Sequence, residues 1–491
     1  MIRPQRRSLR CPGRLVGLAI PLLLLAGCAV GPDYQRPETP MTDAFKEFDG
    51  WKAATPADTI HRGAWWDTYG DPQLSALEER VSVSNQNLLA AEAQFRQARA
   101  VVGTARAALF PQAAIGVSFS RSHQSATLHN NLGGSGTDVS DYAMPLSINW
   151  ELDLWGRIRR NVESNEANAQ AFAADVESAR LSLQAELAAD YFQLRSVDAD
   201  RAIFDDSITA FERSLKLTRS RYEGGIASRD DIAQAQTQLE STRAQAIDLG
   251  VQRAALENAI AVLIGEPPAK FSLPPTPLDA EPPSIPVGVP SQLLERRPDV
   301  AAAERAVAAA NAQIGVAIAA YYPTVTLSAS GGLESSHIDQ WFTWPSRFYS
   351  VGPAVSETIY DGGFRASQTD AARAQYDNTV AGYRQSVLTA FQQVEDNMAA
   401  LRVLADEAAV NAVAVAAARQ SVDLTTNRYK EGAASYLDVV ITQAAALNNE
   451  RNANDVRGRR MVASVQLIQA LGGGWDASTL PTPAELVAED N

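Results

Sequence analysis

The chain has 491 residues, of which 46% are hydrophobic and 20% charged, with a formal net charge of −14 and two cysteines. The length supports a large core. The acidic balance argues against nucleic acid as a partner, because such a partner demands clustered Lys and Arg to neutralise phosphates, and two cysteines exclude a disulfide scaffold.

The N-terminus carries Arg3, Arg6, Arg7, Arg10 and Arg14 and no acid, then an apolar run from Leu15 to Leu25 and the small residues Ala26 and Gly27. This predicts a signal peptide over residues 1–27, since a spanning helix needs roughly 20 apolar residues. Leu25-Ala26-Gly27-Cys28 resembles the bacterial lipobox, so Cys28 is expected to become the first mature residue and to carry diacylglycerol. About two acyl chains give stable anchoring. Ala29 follows, where an Asp would resemble an inner-membrane retention signal, and the pattern therefore resembles an outer-membrane address. Loss of five arginines leaves 38 basic residues against 57 acidic ones, a mature charge of −19, read as a solvated surface. Residues 28–60 are expected to be an extended, lipidated segment lying along the surface.

The remainder is duplicated. Tyr222, Gly225, Ser228 and Asp231 recur as Tyr429, Gly432, Ser435 and Asp438, each 207 residues on, as do Gly156 and Gly363, and Gly265 and Gly472. An offset of 212 relates Glu92 to Glu304, Gly103 to Gly315 and Phe110-Pro111 to Tyr322-Pro323. The first repeat is placed at 61–266 and the second at 291–474, with a tail at 475–491. Nine prolines between Pro267 and Pro290 make 267–290 a stiff, extended linker.

Each repeat changes period in the same order. A first helix precedes a hairpin, at about 113–154 in the first repeat and about 324–360 in the second. Tyr142, Met144, Leu146, Ile148, Trp150 and Leu152 alternate with mostly polar neighbours, as do Ile115, Val117 and Phe119, the period-two signal of a strand with one apolar face. Pro145 and Pro353 are expected to mark bends or bulges. Residues 157–223 then contain neither Gly nor Pro, and apolar residues fall at steps of three and four. Such a helix runs roughly 100 Å at about 1.5 Å per residue, too long and too polar to lie in a bilayer. A return helix at 229–264 keeps a heptad repeat, and the second repeat places its pair at 364–431 and 436–471.

Alternating strands of about ten residues are the signal of a transmembrane β-barrel. Two hairpins cannot close a barrel, and a membrane sheet tolerates no open edge, so the pattern demands an oligomer.

The chain resembles the TolC-like outer membrane factors, and among them the NodT-type lipoproteins. The likeness rests on Trp65-Trp66 with Gly70-Asp71-Pro72-Gln73-Leu74, Leu152-Asp153-Leu154-Trp155-Gly156-Arg157, Arg296-Arg297-Pro298-Asp299-Val300 with Glu304, Tyr322-Pro323, and the duplicated turns. The resemblance implies an α+β membrane protein: a homotrimer with a twelve-stranded β-barrel, four strands per chain, continued by an antiparallel coiled-coil helical barrel in the periplasm. It implies a periplasmic adaptor and an inner-membrane pump of the resistance-nodulation-division type as partners, and export of small toxic compounds as the function. A type I protein-secretion duct and a heavy-metal cation duct are the alternatives. Gly225, Ser228, Gly432 and Ser435 become adaptor-contact turns. Asp231 and Asp438 become gate residues, with Tyr222 and Tyr429 as hydrogen-bond partners. Ile441 stands where relatives often carry a second acidic ring, and Ala434 where some carry a basic latch, so the constriction is expected to be partly hydrophobic.

No phosphate loop, zinc helix or nucleophile elbow occurs, and no enzyme is expected. His61, His123, His129 and His337 are scattered and no metal or other cofactor is expected beyond the lipid on Cys28.

Overall fold

A computed structural model describes residues 29–39, 45–47, 64–125, 137–285 and 293–487. The predicted signal peptide, Cys28, His61 and His129 lie outside the described residues. Seven helices of two turns or more are described: α1 (Pro72–Ser84), α2 (Gln86–Ala107), α3 (Arg157–Glu223), α4 (Arg229–Leu263), α5 (Pro298–Ala319), α6 (Phe364–Lys430) and α7 (Tyr436–Ala470). The duplication reaches to single residues, for α3 and α6 each have 67 residues, α4 and α7 each 35, and α2 and α5 each 22.

Local chemistry explains where the helices start and stop. Asp71 caps α1 by accepting from the Gln73 and Leu74 amides at 2.9 and 3.2 Å, with Pro72 in the first turn. Asn85 ends α1 and caps α2, accepting from Asn87 and Leu88. Gly156 and Gly363 precede the long helices in the left-handed region, at φ 79° and 93°, which a Cβ disfavours.

The helices form rows four wide. In the upper row the order is α2–α3–α5–α6, and in the lower row α4–α3–α7–α6. The long helices run through both rows, while α2 and α5 stack on the ends of α4 and α7. The joint is built twice. Asn85 Nδ2 donates to the Leu263 carbonyl at 2.8 Å, and Arg297 Nη1 donates to the Ala470 carbonyl at 3.1 Å, each satisfying one of the free carbonyls of a helix end. Beside them Gly265 and Gly472 adopt φ of 73° and 92°, and a Cβ there would overlap the Ser84 and Arg296 carbonyls respectively. The main core sits at this level, where Trp65, Leu74, Tyr191, Phe192, Met398, Met461 and Val465 are buried together.

The sheet is also four wide. Strands β1 (Gln112–Ile115) and β2 (Ser118–Gln124) both pair with β3 (Thr137–Leu152), β3 pairs with β4 (Thr324–Ser335), and β4 with β5 (Arg347–Ser356), all antiparallel. The register aligns the apolar sets: Ile148 lies opposite Ala113 and Ala329, and Ala329 opposite Val351; Leu152 lies opposite Val325, and Val325 opposite Val355. One face is therefore apolar and exposed, with Ile115, Phe119, Leu146, Tyr349, Val351 and Val355 open. Serines such as Ser147, Ser328 and Ser350 occupy the other. The two prolines act differently from the expectation of bends or bulges. Pro145 accepts from Gly116 at 2.9 Å but has no N–H to return, so the ladder breaks into β1 and β2 there without a register shift. Pro353 lies opposite Leu327 in an unbroken register at the edge strand, where a missing donor costs nothing within the protomer.

Candidate periplasmic tip and membrane-proximal clamp

At the far end of the lower row, α3 and α6 turn back into α4 and α7. Gly225 and Gly432 take φ of 72° and 82°, and the amides of Ile226 and Ala433 close the turns onto Arg221 and Arg428 carbonyls at 2.8 Å. Ser228 and Ser435 then start the return helices with capping boxes. The Asp231 amide donates to Ser228 Oγ at 3.0 Å and the Ser228 amide donates to Asp231 Oδ2 at 2.8 Å; Asp438 and Ser435 repeat this at 3.3 and 2.9 Å. Both carboxylates are thus held by their own helix ends, where the dipole favours negative charge. The Ser435 side chain and amide hold Asp438 below the usual aspartate range.

The tyrosines part company. Tyr222 is exposed, whereas Tyr429 is buried and donates to Thr218 Oγ1 at 3.4 Å. No hydrogen bond joins either ring to Asp231 or Asp438 among the described residues. Tyr429 instead packs edge-on against Tyr436 at 5.4 Å, inside a cluster with Phe211, Leu215 and Leu239. Burial pushes the Tyr436 hydroxyl up to about 12, with Tyr429 and Asp231 adding to it. Arg221 crosses between the repeats, its guanidinium 4.7 Å from the Tyr429 ring centre and its Nη1 donating to the Lys430 carbonyl at 2.8 Å. Ile441 and Leu437 are exposed on one face of α7, one helical turn apart.

The opposite end of α3 holds the segment that follows Cys28. The Val30 amide donates to the Trp155 carbonyl at 3.0 Å, and a Cβ on Gly156 would sit 2.6 Å from the Ala29 Cβ. Arg160, almost wholly buried, donates to the Val30 and Gly31 carbonyls and pairs with Asp33 at 2.8 Å. Farther on, Asn311 donates to the Pro32 carbonyl, Tyr34 donates to Glu304, and Arg36 donates to the Tyr383 hydroxyl at 3.0 Å. Residues 29–36 of the expected surface segment are pinned across α3, α5 and α6 from the strand–helix junction onward. The described part of the linker is likewise held: Arg195 donates to the Pro274 carbonyl, Arg253 to the Leu273 carbonyl, and Asp198 accepts from the Thr276 amide. Sequence reasoning did not single out Arg160, Arg195 or Asp198, because several of their partners, among them the Val30, Gly31 and Pro274 carbonyls and the Thr276 amide, are backbone atoms distant in the chain.

Among the described residues no helix is long and apolar enough to cross a membrane. The exposed apolar face of the sheet, with Ile115, Phe119, Leu146 and Val351, has the alternation of a lipid-facing strand surface. His123 is occupied by Asp138, Nδ1 to Oδ1 at 2.6 Å.

The family model described as "Outer membrane efflux protein" matches residues 78–266 and 289–473, the two repeats in turn. The chain belongs to the outer membrane efflux protein family. The antibiotic efflux pump outer membrane protein ArpC of Pseudomonas putida is 30% identical over 471 residues, covering 95% of this chain and 96% of its own length. The pyoverdine export outer membrane protein OpmQ of Pseudomonas aeruginosa is 30% identical, with 93% and 96% covered. Among solved structures, the outer-membrane channel OprN aligns with a TM-score of 0.84 at 29% identity, covering 91% of this chain and 100% of that one. As a member of this family the chain is an outer-membrane efflux channel that extends into the periplasm, a passive conduit and not an enzyme.

Proposed function

We propose that three copies assemble into one closed duct, the exit of a tripartite pump of the resistance-nodulation-division type, carrying small toxic compounds from the periplasm or the pump to the exterior. One observation carries this reading: among the described residues every level of the protomer is a row four wide whose two end elements are paired on one side only. β1 and β5 bound the sheet, α2 and α6 the upper row, α4 and α6 the lower row. Open strand edges do not survive in lipid, and even the smallest barrels have about eight strands; three copies supply twelve strands and a matching ring of helices. The cargo class follows the relatives, whose names specify antibiotics and pyoverdine.

In this reading the turns at Gly225–Ser228 and Gly432–Ser435 meet the tip of an adaptor, and Asp231, Asp438 and Ile441 line the constriction. Capping holds each carboxylate at a fixed place on the tip. Three-fold symmetry would bring like charges together at the axis, which cations relieve. Tyr222 and Tyr429 serve the gate in different ways, the exposed ring within reach of neighbouring copies and the buried one fixing α6 to α3. Cys28 carries the acyl anchor, since Ala29 and Val30 are held at the strand–helix junction, level with the membrane surface.

Conductance of purified protein in planar bilayers tests both layers. Discrete channels are expected from wild type, and Asp231→Ala with Asp438→Ala should raise conductance several-fold. Absence of any channel would overturn the duct; wild-type conductance in the double variant would remove both residues from the gate. Loss of antibiotic or dye tolerance on deletion supports drug export, whereas a stranded exported protein would replace it with secretion.

A further inference from the structure

The sheet sorts its charges by face. Residues directly opposite one another across a ladder share a face, and by that register Arg121, His123, Asp138 and Arg347 lie on the apolar side with Tyr142 and Met144, while Asp141, Glu151 and Glu334 lie on the serine side. The strands contain no other arginine and no lysine. The acid on the apolar side, Asp138, is already held by Arg121 at 2.8 Å and by His123 at 2.6 Å.

Arg347 is placed differently. Its Nε donates to the Trp344 carbonyl at 2.9 Å and its guanidinium lies over the Trp344 ring, but no carboxylate pairs with it among the described residues. Its two Nη groups are left for an acceptor that the protomer does not supply. Val355 lies toward the helix end of the same face of β5, and the eight residues from there to Arg347 span about 27 Å at about 3.4 Å each. At a strand tilt of about 40° that is about 20 Å of height, close to the top of an apolar band about 25 Å tall. A cation on a lipid face is costly at the midplane and nearly free at such a margin. Rings mark the same margin independently. Phe119, Tyr142, Trp341 and Phe342 form a row from β2 to the turn before β5, with successive centres 4.7, 5.9 and 4.7 Å apart, and Trp344 and Tyr349 beside Arg347 are exposed at 75% and 89%. Tyr and Trp collect where acyl chains give way to headgroups.

We infer that this outer end of the apolar face binds the phosphorylated headgroup of an outer-leaflet lipid. Arg347 takes the phosphate, since a guanidinium fork matches two phosphate oxygens, and Tyr349, Val351 and Leu333 below it take the acyl chains. The charge stands among exposed apolar side chains and not in a pocket, so an anion carrying acyl chains gains burial that inorganic phosphate cannot. The acids of the serine side repel the same anion, which leaves it one face of the sheet. The site rests on the barrel proposed above and adds a ligand to its outer wall.

Thermal unfolding of delipidated full-length protein in a neutral detergent reads the site. Diphosphorylated lipid A should raise the unfolding midpoint by several degrees, and the same lipid stripped of its phosphates should raise it much less. Arg347→Gln should lose the phosphate-dependent part. Arg347→Lys, which keeps the charge without the fork, should retain some of it and keeps the test readable where the glutamine variant does not fold. Arg373→Gln, on the exposed surface of α6, should behave as wild type. Equal stabilisation by the two lipids, an undiminished shift in Arg347→Gln, or the same shift from inorganic phosphate alone would each overturn the site. Planar-bilayer recordings of the same preparations separate it from the barrel: channels without a phosphate-dependent shift overturn the lipid site alone, and absence of channels in wild type overturns both.

Discussion

The two 67-residue helices share one plan and occupy opposite situations. α3 stands inside both rows and is covered on each flank, whereas α6 stands at an edge of both and leaves a flank open. Arg195 and its counterpart Arg402 make the difference concrete. Arg195 is buried, stacked 4.7 Å from the Tyr191 ring and bonded to Asp198, Gln73 and the Pro274 carbonyl. Arg402 is half-exposed and pairs with Glu47 at 2.7 Å. Position in the row, and not helical period, decides which copy of a residue becomes structural. The middle helix carries the buried charges because linker and neighbours surround it with partners. The open flank of the edge helix carries small and apolar residues, among them Ser367, Ala371, Ala374 and Val403, all exposed.

Replacing these arginines should separate the two situations most sharply. Arg195→Met is expected to cost about 3 kcal/mol or more, because it removes a buried partner of Asp198 and leaves carbonyls unsatisfied; Arg402→Met should cost less than about 1 kcal/mol. Thermal melting followed by circular dichroism checks this, and equal losses would break the contrast. A smaller effect concerns features that both halves retain. Gly265→Ala and Gly472→Ala each force a Cβ onto a carbonyl at positive φ, costing about 1–3 kcal/mol, and the two losses should match because the joint is the same. Unequal losses would show that the joints differ in what they bear.

The smallest effect is one of pH. Burial, helped by Glu186, raises the Asp190 carboxyl from the ordinary 3.8 to about 6, while its counterpart is Asn397. A raised acid favours its neutral form in the folded state, so its support for folding is complete below about 3.8, declines as pH rises to about 6, and stays lost above. Asp190→Asn, which copies the second half, should match wild type near pH 4 and exceed it near pH 7 by less than about 1 kcal/mol, given partial exposure. Melting at the two pH values checks the sign; a variant less stable at pH 7 would show that the charge is supported.

Much of the architecture was legible because the periods are long and uninterrupted. The Gly- and Pro-free run from Arg157 gave a helix ending at Glu223, and the turn residues Gly225, Ser228, Gly432 and Ser435 fell where φ and capping require them. Less legible was what each side chain would meet. Tyr429 and Tyr222 occupy equal places in their repeats, yet one is enclosed by Thr218, Arg221 and Tyr436 and the other faces outward. The Pro145 effect was half legible: the missing N–H was certain, but whether the strand bulged or merely broke depended on the partner opposite.

Sequence alone determined the elements, their lengths and their duplication, since these depend on neighbours three, four or two residues apart and on Gly, Pro, Ser and Asp acting locally. Tertiary structure decided which of two equal helices lies inside, where Arg160 clamps the segment after the lipid site, and which faces are left without cover. Those outcomes depend on contacts between residues more than a hundred positions apart, whose partners are often plain backbone carbonyls and leave no mark in the order of amino acids.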